Sequence, residues 1–252
     1  MISRYSATLN GVSLHSLSPA ILIANISYDP PSYSLDSYEV AKRQGAIIQR
    51  KHKSRAGCVI TFFIREYDTG KRQQVCQQVC RWARNGGILK TGDRPGQMLR
   101  CICEGLPSVS SVRDWTEPLQ ITFAAYALPY WQEQIQNSIT LSSGTGDLFV
   151  TGSAPSANVE VTVTASGTVS TITLTCADTS ITLSVLGLGS GDKVTITYDD
   201  NMIQSIRKND QSILNKRTGN DDLVAICGQK NLVGFTADGP CTVKFSSRGL
   251  WE

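Results

Sequence analysis

In the second half of the chain, apolar β-branched residues alternate with threonine and serine at a period of two. The clearest segments are residues 159–164, 169–175 and 193–198. Because successive side chains of a strand point to opposite faces, this alternation predicts half-buried antiparallel strands. Turn residues interrupt it roughly every 8–12 positions, which is typical of a β-sandwich. We therefore expect residues 138–252 to form a C-terminal β-sandwich domain.

The first half contains the only helix that the sequence predicts. In residues 71–84 the apolar side chains recur at helical spacing, and the Asn-Gly-Gly of residues 85–87 supplies a C-cap. Runs of β-branched and aromatic residues predict strands at 58–65, 88–89, 99–104 and 119–126. We expect residues 1–137 to form a mainly β, sandwich-like N-terminal domain with one helix. A short link near residues 131–140 is expected to join the two domains.

Charge is distributed unevenly along the 252 residues, although the net charge is only +3. Residues 1–135 carry 16 Lys and Arg against 10 Asp and Glu, whereas residues 136–252 carry 8 against 11. A net charge this small argues against a dedicated, sequence-specific nucleic-acid-binding protein, whose domain is usually far more basic.

One basic stretch, residues 42–55, contains no acidic residue. Residues 38–41 and 46–49 have the composition of strands, so the stretch is expected to belong to an extended hairpin arm. It lacks the interleaved aromatic residues that stack on bases, and it lacks a recognition helix. We expect a solvated arm, or one that docks on an acidic neighbour, with these subunit-interface residues: Arg43, Arg50, Lys51, Lys53 and Arg55.

The sequence contains no convincing catalytic or cofactor-binding constellation. Only two histidines occur, His15 and His52, and there is no Gly-x-Ser-x-Gly nucleophile elbow. The glycine-rich residues 187–192 precede a strand rather than a helix, so we expect a turn there and not a phosphate loop. The aspartate pairs at 199–200 and 221–222 are expected in turns, with calcium as the alternative. We therefore expect a protein that is not an enzyme and that has no cofactor.

Eight cysteines are few for a disulfide scaffold of this length, and most are expected to be small buried apolar residues. A zinc site of Cys76, Cys80, Cys101 and Cys103 is the alternative, although structural zinc sites usually have Cys-x-x-Cys knuckles in loops. The first six residues lack the apolar core of a signal peptide, and no apolar run approaches the roughly 20 residues that cross a bilayer. Reduced thiols inside a cell and no membrane insertion are therefore expected.

A glycan site is also considered, because β-sandwiches often carry such sites. Sugars stack on exposed aromatic rings, but most aromatic residues of the second half occupy strand positions that suit the core. The sequence therefore gives no positive sign of a glycan site.

Several segments occur in a diagnostic order: residues 43–48, a helix ending in Arg-Trp-Ala, the Gly-Asp-Arg-Pro-Gly of residues 92–96, and the Pro-Tyr-Trp of residues 129–131. This order resembles the distal tail proteins of long, non-contractile-tailed (siphovirus-type) bacteriophages. Residues 191–196, 228–235 and 243–251 resemble the C-terminal, galectin-like domain of the same family. The resemblance covers nearly the whole chain.

The resemblance implies a structural hub, with no catalytic or cofactor residue to carry over. Distal tail proteins form a homo-hexameric ring at the far end of the tail and line the channel through which DNA leaves. The implied partners are the tail-tube protein and the tail-associated fibre or lysin protein, with receptor-binding and tape-measure proteins as further candidates. The implied location is the virion tail tip, after assembly in the host bacterial cytoplasm. Two alternatives stay open, a glycan-binding module for host-surface attachment and a tail-tube-like subunit.

Overall fold

The computed structural model describes residues 5–39, 46–107, 118–126, 128–199 and 202–252, and gives the strands at 33–39 and 46–53 by their backbone pairing. The chain divides into two compact units, residues up to Trp131 and Gln132–Trp251. Residues 131–140, predicted as a link, instead form most of a strand, Trp131–Leu141. Both ends of this strand are buried, whereas most residues between them are polar and Ile135 is 78% exposed, so few buried apolar side chains mark it in the sequence.

The first unit is built on one antiparallel sheet. Its elements are β1 (Ala7–Leu9), β2 (Val12–Ser13), α1 (Leu14–Leu17), β3 (Ile21–Asp29), β4 (Tyr33–Glu39), β5 (Ala46–Lys53), β6 (Gly57–Ile64), α2 (Thr69–Ala83), β7 (Gly87–Thr91), β8 (Gln97–Gly105) and β9 (Leu119–Ala125). The sheet has the strand order β3-β6-β9-β8-β7-β1-β2. Strands β4 and β5 pair with each other as a separate antiparallel hairpin.

Helix α2 lies where the sequence predicts it. Asp68 caps its N-terminus, because its side chain accepts a hydrogen bond from the backbone N–H of Lys71 at 3.0 Å. The apolar stripe is buried, and Trp82 contacts Phe123 of β9 edge to face, with ring centroids 6.1 Å apart. After the helix the backbone turns at Gly86, where φ is +62°, a conformation that glycine adopts without strain. The four-residue helix α1 is not predicted, since so short a segment has no helical periodicity to detect.

The second unit contains two antiparallel sheets. Its elements are β10 (Trp131–Leu141), β11 (Thr145–Val150), β12 (Ser156–Ala165), β13 (Ile172–Cys176), β14 (Thr179–Leu183), β15 (Lys193–Tyr198), β16 (Gln204–Lys208), β17 (Gln211–Ser212), a 3₁₀ turn (Leu214–Lys216), β18 (Arg217–Gly219), β19 (Val224–Ile226), β20 (Gln229–Ala237) and β21 (Cys241–Trp251). One sheet has the order β17-β16-β15-β12-β21-β10, and the other has the order β11-β20-β13-β14-β18.

The period-two pattern forms half-buried strands, as the sequence predicts. In β12, Val159, Val161 and Val163 are buried, whereas Glu160 and Thr162 between them are partly exposed. The mainly β fold class, with one long helix, a hairpin and a C-terminal sandwich, is confirmed. In the parts of the chain that the structure describes, no helix is long and apolar enough to cross a membrane.

Candidate subunit-interface site

The predicted basic arm is the β4–β5 hairpin. Its register places Arg50 opposite Asp36, Lys51 opposite Leu35, and Lys53 opposite Tyr33. The pairing is irregular between Asp36 and Ser37. Strand β5 is four residues longer than the predicted strand at 46–49, so the basic residues and His52 lie within a strand. Arg43 lies outside the described residues.

A pair of serines closes the hairpin where it joins the main sheet. The backbone N–H of Ser54 donates to the carbonyl of Ser32 at 2.7 Å, and the N–H of Ser32 donates to Oγ of Ser54 at 2.7 Å. Their hydroxyls lie 3.0 Å apart. These bonds fix the two chain segments that enter and leave the hairpin, which the sequence alone does not reveal.

Arg55 lies just beyond this closure. Its guanidinium is 4.0 Å from the carboxylate of Glu104, and both side chains are more than half exposed. An exposed ion pair of this kind contributes little to stability. Arg55, Glu104 and Asp29 line an open groove of about 350 Å³, in which two carboxylates face one guanidinium. The groove therefore favours a cationic group.

A second cluster joins the turn at residues 92–96 to the end of the first unit. The Arg94 guanidinium lies 4.3 Å from the ring centroid of Tyr28 and 5.1 Å from that of Trp131. The Tyr28 hydroxyl donates to Asp93 and also contacts the Thr91 hydroxyl at 2.9 Å. Burial, and then the hydrogen bond to Asp93, raise the pKa of Tyr28. The structure thus brings together two segments on which the family resemblance rests.

The cysteines considered for zinc do not form a metal site in the described part of the chain, where no three or more His, Cys, Asp or Glu side chains are placed to hold an ion. The thiols of Cys76 and Cys80 lie 3.9 and 3.7 Å from the carbonyl oxygen of Pro107. Burial raises the pKa of Cys76 to about 11 and that of Cys101 to about 12. Both thiols are therefore protonated at neutral pH when no metal ion is bound.

The glycine-rich residues 187–192 form a turn before β15, as predicted. The carboxylate of Asp192 accepts from the backbone N–H of Gly189 at 2.9 Å, and this bond lowers the pKa of Asp192. Of the two acidic pairs, Asp221 bonds Arg217 at 2.9 Å and Asp199 accepts from the N–H of Ile203 at 2.8 Å. Position 200 lies outside the described residues. These two bonds of Asp221 and Asp199 are local contacts, each spanning four residues.

One aromatic residue of the second unit departs from the sequence-based expectation. Phe149 is 47% exposed, whereas Phe245 is fully buried as predicted. Phe149 lies opposite Lys230 in the β11–β20 ladder, and Lys230 lies 3.7 Å from the carboxylate of Asp147. The prediction that strand positions bury most aromatic residues is therefore wrong for Phe149, because its side of β11 faces solvent.

Comparison of the sequence with family models gives no match, and comparison with curated proteins gives none either. Comparison of the structure with solved structures gives an extensive match to the Dit protein of phage SPP1, described as a paradigm of the hub adsorption apparatus in phages that infect Gram-positive bacteria. The match has a TM-score of 0.73 at 11% identity and covers 96% of this chain and 98% of that one. The chain has the Dit fold. A weaker likeness to the phage P2 baseplate in its activated conformation with Ca has a TM-score of 0.47 at 6% identity, over 91% of this chain and 90% of that one.

Proposed function

We propose that this protein is a structural hub of a bacteriophage tail, acting at the tail tip of the virion. The observation that carries the proposal is the Dit fold over nearly the full length of both chains. The order of sequence segments points independently to the same family. In this role six copies form a ring that joins the tail tube to the fibre or receptor-binding apparatus and lines the channel for DNA. Assembly takes place in the host cytoplasm, and the protein has no enzymatic activity.

The architecture of the first unit supports ring formation. A ring needs a heterologous interface, in which one patch of a subunit meets a different patch on its neighbour. The β4–β5 hairpin pairs only with itself among the described residues, so it is available to lie on another subunit. We propose that Arg43, Arg50, Lys51, Lys53 and Arg55 contribute to this interface.

The native mass of the purified protein tests the hub proposal. Six copies of the 27.4 kDa chain give a particle of about 164 kDa, which we expect to see as rings in negative-stain images. A filament would instead favour a tail-tube-like subunit. A strict monomer that does not join tails during assembly would contradict the hub proposal.

Reversing the charge of the arm tests its part in the ring. The triple variant Arg50→Glu, Lys51→Glu and Lys53→Glu should reduce the fraction of chains in the hexamer, because an acidic neighbour would then repel the charge-reversed arm. A matched control reverses three exposed lysines of the second unit, Lys193, Lys230 and Lys244. An unchanged hexamer in the arm variant would refute the role of the arm while leaving the hub proposal intact.

The exposed ring of Phe149 favours glycan binding as a second candidate function. An aromatic face next to the Asp147–Lys230 pair offers a stacking surface with polar groups beside it. A glycan array with the full-length protein tests this function, with Phe149→Ala as the matched variant. Binding that the variant loses would support a host-surface module, and no binding by the wild type would exclude it for the glycans tested.

A further inference from the structure

Helix α2 presents to solvent a face that consists of glutamine and arginine. The sequence from residue 69 to residue 92 contains no Asp or Glu. Within it, six exposed side chains lie on the side of the helix opposite the buried apolar stripe, and we call them the glutamine–arginine face: Gln73, Gln74, Gln77, Gln78, Arg81 and Arg84. At 1.5 Å per residue, this face is about 16 Å long.

None of these six side chains has a hydrogen-bond or ion-pair partner among the residues that the structure describes. Surface helices commonly gain stability from pairs of opposite charge at i,i+4, and this face has none. Glutamine and arginine have good helix propensity, which explains why the segment is helical. Helix propensity does not explain why both charged residues of this face are positive. The face therefore offers unpaired donors that an anionic surface can use.

The second unit of the same polypeptide has a net charge of the opposite sign. Residues 132–251 carry 11 Asp and Glu against 8 Lys and Arg, whereas residues 1–131 carry 9 against 16. Two of the acidic side chains of the second unit, Asp178 and Asp210, are exposed in turns. Arginine binds carboxylates through two parallel hydrogen bonds, and a glutamine amide can donate to a carboxylate or pair with exposed backbone. The charges of the two units are thus complementary.

We infer that the glutamine–arginine face docks on the acidic second unit, residues 132–251, of a second copy of this chain. The inference rests on the proposed hub function, since the ring supplies the second copy, and a contact between unlike patches is what ring closure requires. Nucleic acid is the less favoured occupant, because two arginines neutralise few phosphates and tight binding usually needs several.

Photocrosslinking between two distinguishable copies tests this inference. A Gln77→p-benzoylphenylalanine variant is mixed with ¹⁵N-labelled wild-type protein, irradiated, and the crosslinked peptides are identified by mass spectrometry. We expect crosslinks from position 77 to labelled peptides within residues 132–251. The control places the same photoreactive group at Tyr67, an exposed residue of the first unit outside the face. Crosslinks only to residues 1–131, or none between copies, would overturn the inference.

Charge reversal supplies a second readout. Arg81→Glu with Arg84→Glu should weaken self-association at least about tenfold and reduce its salt dependence, since like charges would then face each other. The control, Arg65→Glu with Lys90→Glu, makes the same change of net charge at exposed positions of the first unit outside the face and should leave association intact. A hexamer that survives the Arg81/Arg84 reversal and gives no crosslink overturns this inference but not the hub function, whereas a monomeric wild type that also does not join tails overturns both. Binding of duplex DNA that the Arg81/Arg84 reversal abolishes, without crosslinks between copies, would identify nucleic acid as the occupant.

Discussion

The side chain of Asn231 organises the turn between β19 and β20, and its removal should destabilise the second unit. The residue is 2% exposed. Its Oδ1 accepts from the N–H of Ile226 at 2.7 Å, and its Nδ2 donates to the carbonyls of Ile226 at 2.9 Å and Gln229 at 3.1 Å. The Asn231 side chain therefore supplies the hydrogen-bond partners of three backbone groups in this turn.

The expected cost of Asn231→Ala follows from these three bonds. Leaving a buried polar group without a partner costs about 1–3 kcal/mol. Ile226 and Gln229 are at least partly exposed, so water can reach their carbonyls, and the main penalty comes from the N–H of Ile226. We expect a total loss of about 2–4 kcal/mol in the free energy of unfolding of the second unit. Asn215→Ala, a change at an exposed position, should cost less than about 0.5 kcal/mol.

An Asn231→Asp substitution tests the direction of the hydrogen bonds. The new carboxylate cannot donate to the two carbonyls, so burial and these oxygens raise its pKa in the folded state above the unfolded value of about 3.9. The penalty should therefore be smallest below about pH 4, where the carboxyl is protonated in both states, and should grow as the pH rises from there through the raised folded-state pKa.

Urea unfolding followed by circular dichroism measures the free energies, and hydrogen–deuterium exchange of residues 224–233 measures local opening. We expect faster exchange at the amide of Ile226 in both variants. If Asn231→Ala lost less than about 0.5 kcal/mol and left this exchange unchanged, the reasoning from buried partners would be refuted.

Three further predictions concern other parts of the molecule. Tyr28→Phe should lower the free energy of unfolding of the first unit by about 1–3 kcal/mol, because it removes the hydroxyl that donates to Asp93; an unchanged urea midpoint would contradict this. Gly86→Ala should lower the melting temperature more than Gly11→Ala does. Both positions have positive φ, but a Cβ at residue 86 would also overlap backbone atoms, whereas no atom lies within 4 Å of a Cβ at residue 11. Backbone N–H bonds lower the pKa of Asp238, so its carboxylate stabilises the fold above the unfolded pKa of about 3.9 and loses this effect as the pH falls. The free energy of unfolding of Asp238→Asn should therefore depend less on pH than that of the wild type between about pH 5 and 2. Parallel pH profiles of the two proteins would contradict this prediction.

Much of the fold could be predicted because local patterns and tertiary burial agree. The predicted strand at 193–198 coincides with β15, and the apolar stripe of 71–84 is the buried side of α2. The link predicted at 131–140 was wrong because β10 has few buried apolar residues, and its Ile135 is exposed. A strand of that kind gives only a weak sequence pattern, so its neighbours in the fold define it.

The candidate site shows a different limit. A charge run predicted the arm, because charge is visible in a linear sequence. The Ser32–Ser54 closure and the Tyr28–Arg94–Trp131 cluster join residues far apart along the chain, and no periodicity links them. The exposure of Phe149 is likewise set by which side of β11 faces solvent.

By itself, the sequence determined the long helix α2, the alternating strands of the second half, the mainly β class and the unequal charge of the two halves, because these depend on residue type and on spacing between near neighbours. Only the tertiary structure decided which polar groups meet and which side chains face solvent. The exposure of the glutamine–arginine face of α2 belongs to this second kind of property. A helix of that composition could equally have been covered, and only the structure shows that no described residue pairs with this face.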